Sequence, residues 1–410
     1  MIDLLIVSGC LGTHQDHHLK RITQISFARF NDYFSKPTIT FINLPITGAQ
    51  VEVKCWVELV ADIPRTFVQI SIPLPAVTIG QNYAHAGLEV LKNELDCASL
   101  IVKLTLLTLG FNEAEIALFM ESSSPKMVEL TWNTPTSSED ALKNLQQRTF
   151  HALELVKKAS RRHDSQIRDL DYRKKNFAPA VLASLKNGDQ FRQYGKFDQI
   201  AAKSNRGKTR YKVSAEMARQ KDQLLDAIRF HARNEVRLGF ETLKSLGMAH
   251  PKNWTAEGLK TGIDGVWHHL GFAVKPRLDR SQLSPEALTS LDQFDVGVDL
   301  VAALPAHTFS RHRKSILAAN GPDIAIPWRH GQVNPESVGY QLQYERRWKP
   351  TKFQKLVISA ATAPAIETDL QRGIAFIRDG ELPDIADSDE LERWMTRWKA
   401  FMAKERLLMG

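Results

Sequence analysis

The sequence predicts an α+β protein in which strands dominate the first 130 residues and helices dominate the C-terminal part. Residues 51–60 and 66–72 are rich in β-branched side chains, which indicates two strands. Pro73 ends the second strand because proline has no N–H to donate to a sheet. Residues 85–107 then carry leucines at helical spacing, so we expect a helix there.

A second strand-then-helix pair is expected further along the chain. Residues 126–133 carry Val128, Leu130 and Trp132 at every second position, which places these three side chains on one face and predicts a short strand. Ser137 and Ser138 are followed directly by two acidic residues, an arrangement that favours a helix N-terminus because a serine hydroxyl can cap the first turn and the acids interact favourably with the helix dipole. We expect this helix to run to about Asp171.

Residues 231–237 predict a strand with an unusual face. Period two places His231, Arg233, Glu235 and Arg237 on the same side. Four polar groups on one face are uncommon for a core strand. The pattern indicates either a functional site or an exposed edge strand with cross-strand salt bridges.

Composition narrows the class of protein. The 410 residues are 43% hydrophobic and 24% charged, as in a soluble globular chain, and neither a collagen-like nor a disordered protein fits. Three cysteines without a CxxC motif argue against a disulfide framework or a cysteine-rich zinc site, which suits a reducing cytosol. No signal peptide and no apolar run of about 20 residues is evident, so we expect a cytoplasmic protein with no membrane span.

Positive charge is concentrated in two places. The chain has a formal net charge of +8, yet residues 161–240 alone hold 19 basic against 9 acidic residues. Residues 344–355 form a second basic stretch in which Tyr344, Trp348 and Phe353 are interleaved. Interleaved cations and rings suit phosphates and stacked bases. The alternative is a solvated face on which Lys and Arg stems cover aromatic rings.

Two predicted helices resemble the outline of a helix-turn-helix. The first covers residues 298–304 and the second residues 308–319, with Thr308 as its cap and Gly321 at its end. The second helix is basic, and its candidate DNA contacts are Arg311, Arg313 and Lys314.

The C-terminal tail combines an acidic stretch with an amphipathic helix. Residues 381–392 hold six acids and no base. We expect Ser388 to cap a helix with an aromatic stripe that docks on its own domain, with a dimer contact as the alternative.

Several short motifs follow one another in order along residues 1–327. They are Met-Ile-Asp-Leu-Leu at the N-terminus, Ser71 to Pro73 followed by Gly80-Gln81-Asn82, the acidic strand at 128–131 with its following helix, Tyr194-Gly195-Lys196, Arg233 to Arg237 before Leu246-Gly247, and Leu304-Pro305 before the Arg-rich helix that ends at Gly321. In this order they resemble the replication initiators of filamentous phages, the gene II/X family of rolling-circle replication proteins.

The resemblance implies a fold, an activity and partners. The implied fold is a nickase palm built on an antiparallel sheet, followed by a mainly helical region. Such proteins nick one DNA strand at an origin, remain joined to the 5′ phosphate through a tyrosine, and later rejoin the displaced strand. The implied partners are origin DNA, as duplex and as displaced single strand, and a host replicative helicase in the bacterial cytoplasm. The implied cofactor is Mg²⁺ or Mn²⁺, ions that suit hard oxygen ligands.

The resemblance also implies which residues carry the chemistry. Tyr194 would be the nucleophile, and Lys196 would lower the pKa of the phenol or hold the scissile phosphate. Tyr211, in another basic segment, is the alternative nucleophile. A separate metal-binding interpretation, weighed against a structural role, rests on an N-terminal cluster of His14, Asp16, His17 and His18.

A metal site and a phosphate contact follow from the same resemblance. Glu129 and Glu235 would hold the cation, with His231 as a third ligand. Arg233 and Arg237 would face the phosphate, because a pentavalent transition state gathers negative charge.

Three domains and three functions are expected on this basis. Residues 1–250 would form the nicking-joining domain, 251–345 a helical DNA-binding region, and 346–410 a basic linker, the acidic stretch and the C-terminal helix. Glu129 stands where the family prefers Asp, and Asn234 replaces an apolar residue. A non-catalytic DNA-binding regulator on the same scaffold is therefore one alternative, and an RNA-binding or RNA-processing protein is another.

Overall fold

A computed structural model describes most of the chain. The described residues are 2–13, 38–83, 85, 87–159, 166–173, 180–204, 215–273, 278–326, 333–359 and 362–409. Tyr211 and the N-terminal cluster of three histidines and Asp16 lie outside them.

One nine-stranded sheet organises the protein, and every pair of neighbouring strands is antiparallel. The strand order is β2-β3-β4-β1-β5-β9-β8-β7-β6. The strands are β1 (Ile2–Thr13), β2 (Thr38–Asn43), β3 (Gln50–Val60), β4 (Ile63–Ile72), β5 (Ser124–Pro135), β6 (Ile167–Arg173), β7 (Ala180–Leu185), β8 (Gln190–Gly195) and β9 (His231–Gly239).

The sheet consists of two halves with a similar strand order, one of four strands (β1–β4) and one of five (β5–β9). In each half the first strand, β1 or β5, lies at the centre, and the last strand, β4 or β9, pairs with it from the outer side. The remaining strands of each half continue outward in reverse sequence order. The two halves therefore share a strand order but not a strand number.

Strand alternation separates a packed face of the sheet from a more polar one. In β3 the side chains of Val51, Val53, Cys55 and Val57 are buried, and those between them are partly exposed. β3 and β4 confirm the two predicted β-branched strands. They are joined by a tight turn at Ala61 and Asp62, whose positive φ angles of 50° and 62° match a hairpin turn.

Helices follow or separate the strands. They are α1 (Leu74–Ile79), α2 (Leu91–Thr108), α3 (Glu113–Ser122), α4 (Glu139–Lys158), α5 (Lys196–Ser204), α6 (Ala215–Ala227), α7 (Phe240–Ser245), α8 (Ala256–His269), α9 (Pro285–Asp295), α10 (Leu300–Ala303), α11 (Ala306–Ala318), α12 (Pro335–Leu342), α13 (Ala363–Asp379) and α14 (Ser388–Met409). Beyond β9 the described chain is therefore mainly helical, as expected. Among the described residues, no helix is both long and apolar enough to cross a membrane.

The helix predicted to start at Ser137 and Ser138 is present but shorter than expected. Ser138 caps α4 by accepting a hydrogen bond from the Ala141 amide, and the helix ends at Lys158. The extension to about Asp171 was wrong, because residues 167–173 form edge strand β6. There, period two directs Leu170 and Tyr172 toward the core, and the Tyr172 ring lies 5.2 Å from that of Phe150 on α4.

The two halves of the helix-turn-helix outline differ from their predicted form. The first helix, α10, is a single turn of four residues. The second, α11, begins at Ala306 after Pro305, so Thr308 lies inside it and does not cap it. Helices α9, α10 and α11 share a small hydrophobic cluster, separate from the main core, built from Leu283, Ala287, Leu291, Phe294, Leu300, Ile316, Ala319 and Ile324.

The C-terminal helices pack on the sheet domain. Trp398 of α14 is fully buried and belongs to the main hydrophobic core, as does Leu370 of α13. The prediction that the aromatic stripe docks on its own domain is confirmed. The helix cap is Asp387, whose carboxylate accepts from the Glu390 amide at 2.8 Å, and not Ser388.

Candidate functional site: a buried carboxylate cluster beside Tyr194

Three carboxylates from three adjacent strands meet on the polar side of the sheet. Asp3 of β1, Glu129 of β5 and Glu235 of β9 each offer one oxygen, and these oxygens lie within 4.8 Å of one another. All three residues are buried. We call Asp3, Glu129 and Glu235 the carboxylate cluster.

Strand register explains why these acids meet. β5 and β9 pair with Glu129 opposite Arg237 and Thr131 opposite Glu235, so both glutamates share one face. Asp3 joins them because the register of β1 against β5 shifts between Ile2 and Leu4. Such an irregularity re-aims a side chain that strict alternation would place elsewhere.

Burial and mutual repulsion perturb the cluster. Burial first, then the charges of Glu235 and Asp3, raise the pKa of Glu129 to about 7, and the contact with Arg237 only partly offsets this. Burial also acts to raise the pKa of Asp3, but the cations around it, Arg233 foremost, hold that pKa below its ordinary range. The cluster therefore mixes a firmly ionised acid with one that titrates near neutral pH.

Three arginines surround the carboxylate cluster. Arg233 donates to Asp3 Oδ2 at 2.5 Å and to Glu235 Oε1 at 2.9 Å, and its guanidinium also contacts the Asn82 carbonyl. Arg237 contacts Glu129. Arg192 lies 3.3 Å from Glu235 Oε2.

These contacts change the interpretation of the two predicted phosphate-facing arginines. Arg233 is fully buried and bonded to protein groups, so in this conformation it stabilises the cluster from inside. The Arg237 side chain is 29% exposed and can reach a ligand at the edge of the cluster. β9 is a central strand, not the edge strand of the alternative interpretation, although the cross-strand salt bridge of that interpretation is present between Arg237 and Glu129.

Tyr194 lies directly beside the carboxylate cluster. It faces Arg233 across the β8–β9 pair, and its hydroxyl donates to Glu235 Oε1. Burial, followed by the nearby Glu235 charge, raises the pKa of Tyr194 well above its ordinary value, although Arg233 opposes this. The phenol is thus protonated at neutral pH, and Glu235 is placed to accept its proton.

Lys196 is near Tyr194 in space as well as in sequence. It is the first residue of α5, it is buried, and its Nζ lies 5.9 Å from the centre of the Tyr194 ring. Its charge also acts on Asp3. The predicted tyrosine–lysine pair is therefore part of the same polar site.

His231 lies outside the carboxylate cluster. It is at the start of β9 opposite Pro135, and its ring packs against Trp348 at 5.0 Å. Burial lowers the pKa of His231 to about 4, so the ring is neutral at pH 7. The third residue that could ligate a metal beside the two glutamates is Asp3 instead.

A different histidine approaches the carboxylate cluster. His85 Nε2 lies 3.9 Å from Asp3 Oδ1, and the His85 side chain is 1% exposed. Burial, then the charge of Arg233, lowers the pKa of His85 well below its usual value. The sequence could have indicated Asp3, because this residue belongs to the N-terminal motif of the resemblance. Nothing in the sequence indicated a role for His85, which was only the first residue of a predicted helix.

The residues present fit a divalent cation. Asp3 Oδ1 is buried and, within the described chain, accepts no hydrogen bond. Repulsion among the carboxylates, which is visible in the raised pKa of Glu129, is relieved by added positive charge. Asp3, Glu129 and Glu235 would hold such an ion, and oxygen ligands suit Mg²⁺ or Mn²⁺.

Two segments, one around Tyr83 and one around Trp348, contact Asn133 near the C-terminal end of β5. The Asn133 side chain donates to the Tyr83 carbonyl at 3.0 Å, and the Trp348 amide donates to the Asn133 carbonyl at 2.7 Å. The two segments also contact each other, because Gln81 donates to the Leu356 carbonyl. Tyr194 itself is only 5% exposed.

The aromatic residues of the second basic stretch pack against other residues of the protein. Tyr344 is buried, its ring lies edge-on to Trp132 at 6.0 Å, and its hydroxyl accepts from the Leu88 amide. Trp348 packs between His231 and Phe353. In this conformation the rings contact protein groups.

The predicted DNA contacts on α11 divide into two kinds. Arg311 and Lys314 are exposed on the helix surface. Arg313 instead forms a bidentate ion pair with Asp323, at 2.7 and 2.8 Å, which ties α11 to the segment that follows it. Arg311 and Lys314 are therefore the two more exposed residues of the three.

An apolar cavity of about 730 Å³ lies apart from the carboxylate cluster. It is lined mainly by α2, α3 and residues 250–256, including Leu95, Phe119 and Trp254. None of the three clustered acids lines it.

Comparisons of the chain with models of protein families, with curated proteins and with solved structures found no match in any of the three.

Proposed function

We propose that this protein nicks one strand of DNA at a replication origin, holds the 5′ phosphate on Tyr194 and later rejoins the displaced strand. The proposal follows the resemblance to the gene II/X initiators of filamentous phages. The observation that carries it is the hydrogen bond from the Tyr194 hydroxyl to Glu235, a member of the carboxylate cluster. A nucleophile in contact with its own base is the arrangement that covalent catalysis requires.

The chain's own residues account for the proton and the phosphate. Glu235 accepts the Tyr194 proton as the phenolic oxygen attacks phosphorus. The bond from phosphorus to the 3′ oxygen breaks, and that oxygen takes up a proton from solvent water to become a free 3′-OH. The resulting phosphotyrosine keeps the energy of the phosphodiester, so attack by a 3′-OH reverses the step without ATP.

Positive groups at the site oppose the charge that gathers on the phosphate. Arg192 and Arg237 are partly exposed at the edge of the carboxylate cluster, and Lys196 lies beside Tyr194. A divalent cation on the cluster would supply further Lewis-acid stabilisation of this charge.

The test of this proposal is covalent capture of DNA. The full chain is incubated with end-labelled single-stranded origin DNA and Mn²⁺, then denatured and separated by size. We expect label to migrate with the protein, and Tyr194→Phe, which removes only the attacking oxygen, to abolish this band while DNA binding persists.

Tyr340→Phe is the matched control, because Tyr340 is half exposed on α12 and distant in sequence from the cluster. It should form the adduct like wild type. An adduct that survives in Tyr194→Phe rules out Tyr194 and directs attention to Tyr211.

A second candidate function is a non-catalytic DNA-binding regulator. The observation that favours it is that each carboxylate of the cluster already forms an ion pair with an arginine. The three arginines are Arg192, Arg233 and Arg237, so positive charge from the protein itself compensates the acids. This candidate predicts binding to duplex DNA through the exposed face of α11 and no covalent adduct under any metal condition.

A further inference from the structure

A polar cleft of about 660 Å³ lies where β5 ends and α4 begins. Its walls are residues 134–137, one side of α4, and α12 together with Arg346. We call it the strand-end cleft. None of the three acids of the carboxylate cluster lines it, so it is a separate feature of the molecule.

The lining of the strand-end cleft is positively charged. Its charged residues are Arg148 of α4 and Arg346, and among the described residues no carboxylate lines it. The other polar lining residues offer hydroxyl and amide groups, among them Ser137, Asn144 and Ser337. The apolar cavity of about 730 Å³ differs, because three acids line it as well as two lysines. The strand-end cleft therefore suits an anionic ligand.

Neutral groups hold both arginines in place. Arg148 Nη1 lies 3.4 Å from Gln341 Oε1, and the Arg346 guanidinium lies over the Tyr340 ring at 4.1 Å, a contact that needs only the ring. Within the described chain, neither arginine forms an ion pair with a carboxylate. The neighbouring Arg347, in contrast, pairs with Glu89 at 2.9 Å. Arg148 and Arg346 therefore present uncompensated charge to a ligand.

The strand-end cleft begins close to the strand positions that carry Tyr194. Tyr194 lies opposite Arg233 on β9, and Arg233 lies opposite Asn133 on β5. Thr134, the next residue of β5, lines the cleft. With about 4.8 Å between strands and about 3.3 Å per residue, the backbone at the start of the cleft is roughly 10 Å from that of Tyr194.

We propose that the strand-end cleft binds the phosphodiester backbone of single-stranded DNA through Arg148 and Arg346. Guanidinium groups match the geometry of phosphate oxygens. The cleft has the volume of a small-ligand pocket, which admits a flexible single strand and not a rigid duplex. This inference rests on the proposed function for the identity of the polyanion, and it adds a non-covalent binding site to it.

The experiment measures non-covalent binding by the full chain in EDTA, where metal-dependent cleavage does not interfere. A fluorescein-labelled thymidine oligonucleotide is titrated at several salt concentrations and followed by anisotropy. Arg148→Ala combined with Arg346→Ala should weaken binding by about tenfold or more. Each phosphate contact to a single strand contributes about 0.7 to the slope of log K against log salt, so the slope should fall by about 1.4.

Arg65→Ala combined with Arg393→Ala is the matched control, because it removes the same charge. Both residues are exposed and neither lines the cleft: Arg65 lies opposite Thr13 at the far end of β1 from Asp3, and Arg393 is on α14. This control should leave the salt slope unchanged. An equal fall in both double variants, or no fall in either, overturns the proposal.

Two further measurements keep the test decisive. If the double variant of the cleft does not fold, Arg346→Ala alone removes an exposed side chain and should lower the slope by about 0.7, whereas an unchanged slope overturns the proposal. A duplex of the same length should bind with a slope that the cleft substitutions do not alter. An equal loss of affinity for duplex overturns the assignment to single-stranded DNA.

The outcome is distinguishable from that of the proposed function. Single-strand binding that depends on the cleft, in a chain that never forms a DNA adduct with Mn²⁺, leaves the cleft standing and removes the nickase. An adduct that forms in a protein whose salt slope ignores Arg148 and Arg346 does the reverse.

Discussion

Asp3 and Arg233 form a buried ion pair that joins the two central parts of the sheet across 230 positions of sequence. Arg233 Nη2 lies 2.5 Å from Asp3 Oδ2, and the Arg233 side chain is fully buried. The pair spans β5, which lies between β1 and β9. The same pair holds the carboxylate cluster together, so stability and chemistry depend on the same residues.

Removing Arg233 should destabilise the fold strongly. Arg233→Met leaves the Asp3 and Glu235 carboxylates buried without their main cation, and breaking a buried pair in this way costs about 3–5 kcal/mol. Urea unfolding of the metal-free chain measures the loss. Arg280→Ala is the control, since Arg280 pairs with Asp292 at the surface and should change the free energy of unfolding by less than about 1 kcal/mol. Similar losses of unfolding free energy in both variants would show that the buried pair contributes no more to stability than the surface pair.

Glu129 should make the protein less stable as the pH rises toward neutral. Its pKa is about 7 in the folded protein and 4.5 when unfolded, so the folded state binds the extra proton between these values. The contribution of Glu129 to the free energy of unfolding is greatest below about pH 4.5. It falls by up to about 3 kcal/mol as the pH rises through 7.

The measurement compares wild type with Glu129→Gln in EDTA at pH 5 and pH 8. The difference between the two proteins isolates Glu129, because His85 and His231, whose pKa values are lowered, contribute stability that rises with pH over part of the same range. Asp3, whose pKa is lowered, stays ionised throughout. An equal pH dependence in both proteins would contradict the raised pKa of Glu129.

Gly373 should be required for docking of the C-terminal helix. A Cβ at this position of α13 would overlap the indole ring of Trp398. Gly373→Ala should therefore destabilise the protein by about 1–3 kcal/mol, despite the better helix propensity of alanine. Gly265→Ala in α8 is the control, because no atom lies within 4 Å of the position that its Cβ would take, and it should be neutral or stabilising. A thermal melt that ranks the two variants in the opposite order would show that α14 does not pack on α13 in solution.

Arg311 should contribute to recognition of a DNA sequence, and Arg313 to stability. Arg311 is exposed on α11, and a fork onto a guanine edge in the major groove would be worth about 1–3 kcal/mol. Arg311→Ala should weaken binding to origin duplex more than to random duplex at the same salt, whereas Lys314→Ala should weaken both alike through a lost phosphate contact. Fluorescence anisotropy measures both affinities.

Arg313→Ala provides the contrast within the same helix. It breaks the bidentate pair with Asp323 and should lower the melting temperature of the protein.

Cleavage of a short single-stranded origin oligonucleotide should survive Arg311→Ala, since the proposed chemistry lies in the sheet. If Arg311→Ala changes neither affinity, the exposed face of α11 is an ordinary solvated surface.

Local patterns in the sequence determined much of the secondary structure. β-Branched runs indicated β3 and β4, and the Ser137–Ser138 pair with the two acids after it indicated the start of α4. Period two alone was enough to place Glu235 and its basic neighbours on one face of β9. These features depend on residues within a few positions of one another, and backbone geometry translates them directly into faces and ends.

Tertiary structure decided which of these faces meet. Period two cannot distinguish an edge strand from a central one, because that depends on partners such as β5, about 100 residues away; β9 is central and its polar face is buried. For the same reason the end of α4 was missed, since residues 167–173 become a strand only by pairing with β7. The third carboxylate depended on a register shift in β1, and the approach of His85 to Asp3 depended on contacts between distant segments. Tyr194 likewise meets Glu235 only because β8 pairs with β9, two strands that are separated in sequence by α5 and α6.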